Sequence, residues 1–239
     1  MTILVVGASG ATGRLVVEQL LDRGLEVRAV LRSPESLPKD LRNRKGLSII
    51  HAAILDLDAG TLAGHVRGCT GIVSCLGHNL NMKGIFGAPH RLVTAAVVRL
   101  CAAVRSNAPA EPVRFVLMNT VAVSNRDLEE KRSIPHRCVI GVLRVVLPPQ
   151  ADNEAAADQL RLHVGQSDTM LEWVAVRPDS LVNEEAVTPY ALHASPTRSG
   201  VFDPGRSSRI NVAHFMAELL TKDETWNAWK GQMPVIYNV

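Results

Sequence analysis

Three glycines spaced three residues apart follow the first apolar run of the chain. They are Gly7, Gly10 and Gly13, and the apolar run TILVV occupies residues 2–6. Glycines here let the chain turn sharply off a strand, let backbone approach an anion closely, and let the next helix pack on the sheet. The N–H groups at a helix start favour phosphate. The stretch therefore predicts a loop that holds a dinucleotide pyrophosphate, with one residue more than the G-x-G-x-x-G spacing between its first two glycines.

The residues between these glycines complete the predicted phosphate loop. Ser9 and Thr12 carry hydroxyls that can donate to a phosphate, and we assign Ala11 to the same loop. The alternative interpretation is a glycine-rich tight turn that binds nothing.

A basic residue stands where a carboxylate usually marks an NAD site. The second apolar run, EVRAVL at residues 26–31, is followed by Arg32 and Ser33. An NAD-preferring site commonly has Asp or Glu about 20 residues beyond the loop, bound to the ribose 2′-OH. A guanidinium instead pairs with a 2′-phosphate. We therefore expect NADP(H) to be preferred over NAD(H), the alternative being that Arg32 is an ordinary surface residue.

Further cofactor candidates follow the third and fourth strand-like runs. Asp56 and Leu57 can cradle an adenine, although Asp56 or Asp58 can equally cap the helix expected to begin near residue 59. After the fourth run, the backbone of Leu76 and Gly77 is expected to approach the adenosine. We also place His78 at this cleft, the alternative being a surface or structural histidine.

The elements that must position these residues alternate between strands and helices. Most strand-like runs are almost continuously apolar, which is typical of strands buried on both faces of a parallel sheet. We predict a doubly wound, Rossmann-like α/β fold with helices on both faces, forming one domain over residues 1–239. About 178–210 is expected to add a small substrate-side cap. The strands are predicted at 2–6, 26–31, 47–50, 70–76, 113–118 and 171–177, and the helices at 12–23, 59–65, 89–106, 153–165 and 211–221.

The composition narrows the function classes. The 239 residues carry a net charge of +3 with scattered arginines, which favours a small anionic ligand over nucleic acid. The four cysteines form no C-x-x-C pair, so we expect no disulfide or metal site and a cytoplasmic location. A signal peptide or membrane span is not expected either, because the chain starts with a strand and no apolar run is long enough.

Several motifs together resemble one family. GASGATGR, R-S after the second strand, D-L after the third, LGHN after the fourth, VAVRPDSL at 174–181 and SSRINVAHFMAELL at 207–220 occur in this order. The chain resembles atypical short-chain dehydrogenase/reductase relatives that bind NAD(P)H, including NmrA-like regulators and biliverdin-IXβ (flavin) reductases. The resemblance implies the fold and the cofactor, and it implies that the backbone at Arg177 and Pro178 flanks the nicotinamide.

The chain departs from the larger superfamily at its proton relay, a Tyr followed four residues later by a Lys. Neither Tyr190 nor Tyr237 has such a Lys, and no lysine occurs between residues 131 and 222. Thr120 takes the place of a substrate-binding Ser, with Ser124 after it, and these two are our candidate catalytic residues. The alternative for Thr120 is a hydroxyl that satisfies loop backbone.

Asn119 is assigned to the cofactor site. Asp152 or Asn153 is expected to cap the helix that follows, and the charge run at 126–132 is expected to be a solvated loop. The apolar segment 136–149 is predicted to be a lid, a dimer face or core.

Three functions fit these observations. The first is a reductase that passes hydride from NADPH to a conjugated or flavin-like small molecule without the Tyr–Lys relay. The second is an NmrA-like sensor of the dinucleotide that acts on a regulatory protein partner. The third is an NAD(P)-dependent epimerase or dehydratase, which fits least because such enzymes usually keep the Tyr–Lys pair. The small-molecule substrate is not identified by the sequence, and a homodimer is compatible with it.

Overall fold

A computed structural model of the chain describes residues 1–78, 87–130 and 134–239. Its strands are β1 (Thr2–Val6), β2 (Glu26–Leu31), β3 (Leu47–His51), β4 (Gly71–Ser74), β5 (Val113–Met118), β6 (Leu171–Pro178), β7 (Ser180–Val182), β8 (Tyr190–His193), β9 (Arg206–Ser208) and β10 (Val235–Asn238). Within the described ranges, eight of them form one sheet in the order β3-β2-β1-β4-β5-β6-β10-β8.

The helices lie on both faces of this sheet. They are α1 (Ala11–Asp22), α2 (Lys39–Arg42), α3 (Ala59–Val66), α4 (Leu92–Asn107), α5 (Ile134–Val146), α6 (Pro148–Asp158), α7 (Arg209–Thr221) and α8 (Asp223–Trp229), with a 3-10 turn at Pro34–Ser36 and a π-helical turn at Gln159–Val164. In the part of the chain that the structure describes, no helix has the length and apolar character needed to cross a membrane.

The strand order confirms the doubly wound fold. All neighbouring strands of the large sheet are parallel except β10 and β8, which are antiparallel. The chain builds outward from β1 to β3, then returns beside β1 as β4 and continues to β6. The reversal between β1 and β4 opens a crevice at the carboxyl ends of the strands, where ligands of such folds bind.

Two hydrophobic clusters explain why the strands are apolar along their whole length. Leu4 and Ile72 point into the cluster that α3 and α4 cover, while Val5 and Val73 point into the cluster that α1 and α7 cover. Because side chains alternate between faces, burial on both sides needs an unbroken apolar run. This packing holds the strand ends, and hence the crevice, in fixed register.

Several boundaries differ from the sequence-based expectations. The helix expected at 153–165 begins at Pro148, because proline fits the first turn of a helix, and its last part is the π-helical turn. The helix expected from residue 89 begins at Leu92, and the fourth strand is shorter than predicted. Neither α8 nor β10 was predicted.

The region expected to form a cap contains three short strands. β7 and β9 form a small parallel sheet, whereas β8 joins the edge of the large sheet. The assignment of 178–210 to a substrate-side cap within one domain stays a prediction.

Candidate functional site

A cavity of about 400 Å³ opens at the crevice between β1 and β4. The described residues that line it come from the ends of β1, β2 and β4, the loop after β3 and the start of α4. They include seven of the predicted cofactor residues: Gly7, Ser9, Gly10, Arg32, Asp56, Leu76 and Gly77. The glycine loop and the segments after three neighbouring strands therefore meet in one space.

Two of the glycines are required by close packing. Gly7 has a φ of +75°, and a Cβ on it would lie 2.5 Å from the carbonyl carbon of Cys75. A Cβ on Gly13 would overlap the carbonyl oxygen of Gly7. The first turn of α1 thus packs directly on the loop, as the sequence predicted for Gly13.

The N-terminus of α1 faces this loop, and no side chain that the structure describes caps it. Its N-cap residue is Gly10, in extended conformation, and Thr12 lies buried in the first turn next to Ala11. By contrast, Asp58 caps α3 and Ser208 caps α7. The first amides of α1 therefore remain available to an anion.

Arg32 provides a cation on the other side of the cavity. The residue is exposed, and its guanidinium makes no hydrogen bond or ion pair with any residue that the structure describes. Its carbonyl oxygen accepts a hydrogen bond of 3.0 Å from Nε2 of His51, which steadies the backbone at the end of β2. Ser33, the exposed next residue, precedes the 3-10 turn. Arg32 is thus placed to bind a negative group of a ligand.

The two aspartates after β3 have separate positions. Asp58 caps α3 by accepting from the Thr61 amide at 2.8 Å, and the hydrogen bonds from the side chain and backbone of Thr61 lower the pKa of the Asp58 carboxyl. Asp56 is exposed and lines the cavity, while Leu57 packs against the core. The capping alternative therefore applies to Asp58, and the adenine contact of Asp56 and Leu57 stays a prediction.

Cys75 also lines the cavity, and sequence reasoning missed it. Burial raises the pKa of this thiol to about 12, so it is neutral at physiological pH. A neutral thiol is a poor nucleophile. Cys75 therefore contributes shape rather than covalent chemistry, and its position after β4 was the available signal.

Two of the candidates after β5, Asn119 and Thr120, make hydrogen bonds within the protein. The side-chain NH2 of Asn119 donates to the carbonyl oxygen of Asn153 at 3.0 Å, and its side-chain oxygen accepts from the Thr120 backbone amide at 2.8 Å. The Thr120 hydroxyl accepts from the Ala122 amide at 3.3 Å, as the structural alternative proposed. Ser124 lies at a small separate recess. None of these residues is among the described lining of the large cavity, and their catalytic or cofactor roles stay predictions.

The side chain of Arg177 is buried and binds other parts of the protein. It is fully buried and donates to the carbonyl oxygens of Met233, Val123 and Ala194 at 2.7–3.0 Å. It also forms a 2.7 Å ion pair with the buried Glu130. The expectation of a solvated loop at 126–132 was therefore wrong at Glu130. The predicted contact of the Arg177 and Pro178 backbone with nicotinamide is untested.

Asp152 corrects another expectation. It lies inside α6, whose N-cap is Leu147, so neither Asp152 nor Asn153 caps that helix. Its carboxylate accepts instead from the amides of Val93 and Thr94, at the start of α4, and contacts Nε2 of His78 at 2.8 Å. His78 thus lies beside the cavity wall, paired with a carboxylate.

Ion pairs attach the apolar segment to α6. Glu154, on α6, pairs with Arg144 of α5 at 2.7 Å and with Arg126 at 3.5 Å. In α5, Val142 and Val146 are exposed by 61% and 54%, whereas Ile140 is buried. Of the three alternatives for this segment, core therefore does not apply to these two valines, and the lid and the dimer face stay predictions.

Comparison with known proteins identifies the family. A family model described as NAD(P)H-binding matches residues 7–223, so the chain belongs to that NAD(P)H-binding family. This confirms the resemblance to atypical short-chain dehydrogenase/reductase relatives. It is also consistent with a phosphate-binding loop at the first matched residues.

A curated relative matches over a shorter stretch. Dihydroflavonol 4-reductase of Arabidopsis thaliana is 40% identical over 76 residues, which is 30% of this chain and 20% of the relative. The matched part thus spans about a fifth of that enzyme.

Solved structures share the fold over the whole chain. ChuY, an anaerobilin reductase from Escherichia coli O157:H7, has a TM-score of 0.68 and 18% identity, covering 100% of this chain and 97% of its own. A proposed NADH-flavin reductase from Streptococcus pneumoniae has a TM-score of 0.68 at 16% identity, with both chains covered completely. A short-chain dehydrogenase/reductase from Veillonella parvula in complex with NADP has a TM-score of 0.70 at 14% identity, covering 99% and 94%.

Proposed function

We propose that the protein is an NADPH-dependent reductase that transfers hydride to a conjugated or flavin-like small molecule. The observation that carries the proposal is a pair of anion-binding groups on one cavity, the N-terminus of α1 and the guanidinium of Arg32, neither of which has a side-chain partner among the described residues. They suit the pyrophosphate and the 2′-phosphate of NADP(H) respectively. The relatives named as reductases support the reaction class.

The preference for NADP(H) rests on Arg32. A guanidinium binds a phosphate dianion strongly, whereas the 2′-OH of NAD(H) offers it no charge. We expect wild type to bind NADP⁺ at least about ten-fold more tightly than NAD⁺, since an ionic hydrogen bond contributes about 1.5–3 kcal/mol.

Charge reversal at Arg32 tests this preference. Arg32→Asp is expected to reverse the ratio of the two dissociation constants, measured by fluorescence titration. Lys45→Asp makes the same charge change at an exposed position outside the described cavity lining, and it should leave the ratio unaltered. An unchanged ratio in Arg32→Asp would refute the contact.

The chain's own part in the reaction is to orient and to exclude water. The bound dinucleotide supplies the hydride, so the protein needs only to position the acceptor against it. Because the sequence has no Tyr–Lys pair, the Asn119 side chain binds the backbone of α6 and the Thr120 hydroxyl binds loop backbone, we propose that the acceptor takes its proton from solvent. The substrate is then a conjugated molecule whose reduced anion water can protonate.

A turnover assay tests the reductase. NADPH oxidation is followed with flavins, quinones and tetrapyrroles in turn, with Gly13→Ala as the binding-deficient control. Turnover of at least one acceptor by wild type alone supports the proposal. Tight NADPH binding without turnover of any acceptor would contradict it and favour the sensor.

The exposed apolar face of α5 favours the sensor as the second candidate. Val142 and Val146 would be covered by a regulatory partner or by a second copy of the chain. A protein that co-purifies from native lysate only when NADP(H) is present would support it. For either function we propose a cytoplasmic location, which the four free thiols support.

A further inference from the structure

The Asp152 carboxylate joins three segments at one buried point. The residue is 1% exposed, and its Oδ2 accepts from the Val93 amide at 2.8 Å and contacts Nε2 of His78 at 2.8 Å. Its Oδ1 accepts from the Thr94 amide at 3.0 Å and from the Thr94 hydroxyl at 2.6 Å. A carboxylate of α6 thus caps a different helix, α4, and holds the segment after β4.

The residues that Asp152 binds adjoin the wall of the cofactor cavity. Gly77 and Leu92 both line the cavity. Gly77 is the residue before His78 in the sequence, and Leu92 is the residue before Val93. A shift of either partner would therefore move a residue of the wall.

The helix that carries Asp152 is itself anchored. The carbonyl oxygen of the next residue, Asn153, accepts from the side-chain NH2 of Asn119, which fixes α6 to the end of β5. A charged carboxylate so deeply buried needs full compensation by hydrogen bonds, and the positive end of the α4 dipole supplies part of it.

We propose that Asp152 is a positioning residue of the cofactor site, which sets the wall formed by Gly77 and Leu92 without touching the ligand. The proposal rests on the proposed binding of NADP(H). An asparagine cannot replace the carboxylate, because its NH2 group would face N–H donors that now bind an oxygen. In Asp152→Asn the spacing between Gly77 and Leu92 is then no longer fixed. The two hydrophobic clusters are unchanged, so the variant should still fold.

The test compares NADP⁺ affinities of folded variants. Asp152→Asn is expected to weaken NADP⁺ binding at least ten-fold. Thr94→Val removes only the hydroxyl and keeps both amide contacts, so a two- to four-fold loss is expected. Asp158→Asn is the matched control, because Asp158 lies on the same helix and pairs with Arg126 and Arg161 away from the cavity. This control should stay within two-fold of wild type.

The melting temperature of each variant separates positioning from stability alone. A purely structural role lowers the melting temperature of Asp152→Asn but leaves the dissociation constant of its folded fraction at the wild-type value, and this result would overturn the proposal. If Asp152→Asn does not fold, Thr94→Val decides by the same criterion. Failure of wild type to bind NADP⁺ would refute the proposed cofactor and this inference together, whereas normal wild-type binding with unaffected variants would refute only the inference.

Discussion

The polar groups at the carboxyl ends of β1, β2 and β4, the first half of the crevice, differ in their partners from those beyond β5, the second half. Around β1, β2 and β4, no described side chain caps the α1 amides and the Arg32 guanidinium has no partner among the described residues, so strong donors are left for a ligand. Beyond β5, Asn119, Arg177 and Glu154 bind other parts of the chain. The first half is therefore suited to a highly charged ligand that the family shares. In the second, these polar side chains bind within the protein and hold its elements together.

The largest effect is expected where the second half buries an ion pair. Glu130→Gln leaves the Arg177 guanidinium buried without its carboxylate, and we expect the free energy of unfolding to fall by about 3 kcal/mol. Urea denaturation measures this loss. The folded variant should bind NADP⁺ within about three-fold of wild type, which is a change of about 0.6 kcal/mol in the binding free energy. Glu129 is the exposed neighbour of Glu130, and Glu129→Gln is the control. Equal free energies of unfolding of the two variants would contradict the role assigned to Glu130.

The next effect tests the first half of the crevice. Gly13→Ala places a methyl group against the Gly7 carbonyl and displaces α1 from the loop, so NADP⁺ binding should weaken about 100-fold, or about 3 kcal/mol. Titration calorimetry measures the affinity. Gly64→Ala adds a methyl group in α3 with no atom within 4 Å, and it should leave binding intact while stabilising the helix by up to about 1 kcal/mol. Binding that survives in Gly13→Ala would mean that the phosphates lie elsewhere.

The same difference explains what the sequence could predict. The glycine loop and Arg32 come directly after predicted strands. Their positions along the chain were therefore enough to predict that they meet at one cavity. The continuous apolar strands predicted the parallel sheet for a similar reason, since burial on both faces leaves a local pattern.

The polar residues of the second half have distant partners. Asp152 binds Thr94, which is 58 residues away, and Arg177 binds Glu130, which is 47 residues away. A cap supplied by another helix leaves no capping motif in the sequence of either helix, and a buried Glu in a charge run has the same neighbours as a solvated one. Local patterns therefore misassigned both residues.

A smaller effect is expected where ion pairs of Glu154 attach α5 to α6. Glu154→Gln removes the ion pairs to Arg144 and Arg126, two half-exposed side chains, and should cost about 1 kcal/mol or less. Amide hydrogen exchange in α5 should then be up to about five-fold faster, since exchange reports local opening. NADP⁺ affinity should not change. Glu224→Gln on α8 is the control, and unaltered exchange in Glu154→Gln would show that these ion pairs do not hold α5.

The smallest effect concerns the thiol in the cavity wall. Because the pKa of Cys75 is about 12, about one molecule in ten thousand carries its thiolate near pH 8. Iodoacetamide should therefore label the exposed Cys138 and spare Cys75 until the protein unfolds, as peptide mass spectrometry can show. The labelled protein should bind NADP⁺ as wild type does, because Cys138 lies on α5, which contributes nothing to the described lining of the cavity. Rapid labelling of Cys75 would mean that the wall opens to solvent, and loss of binding on labelling Cys138 would mean that the two halves of the crevice are not independent.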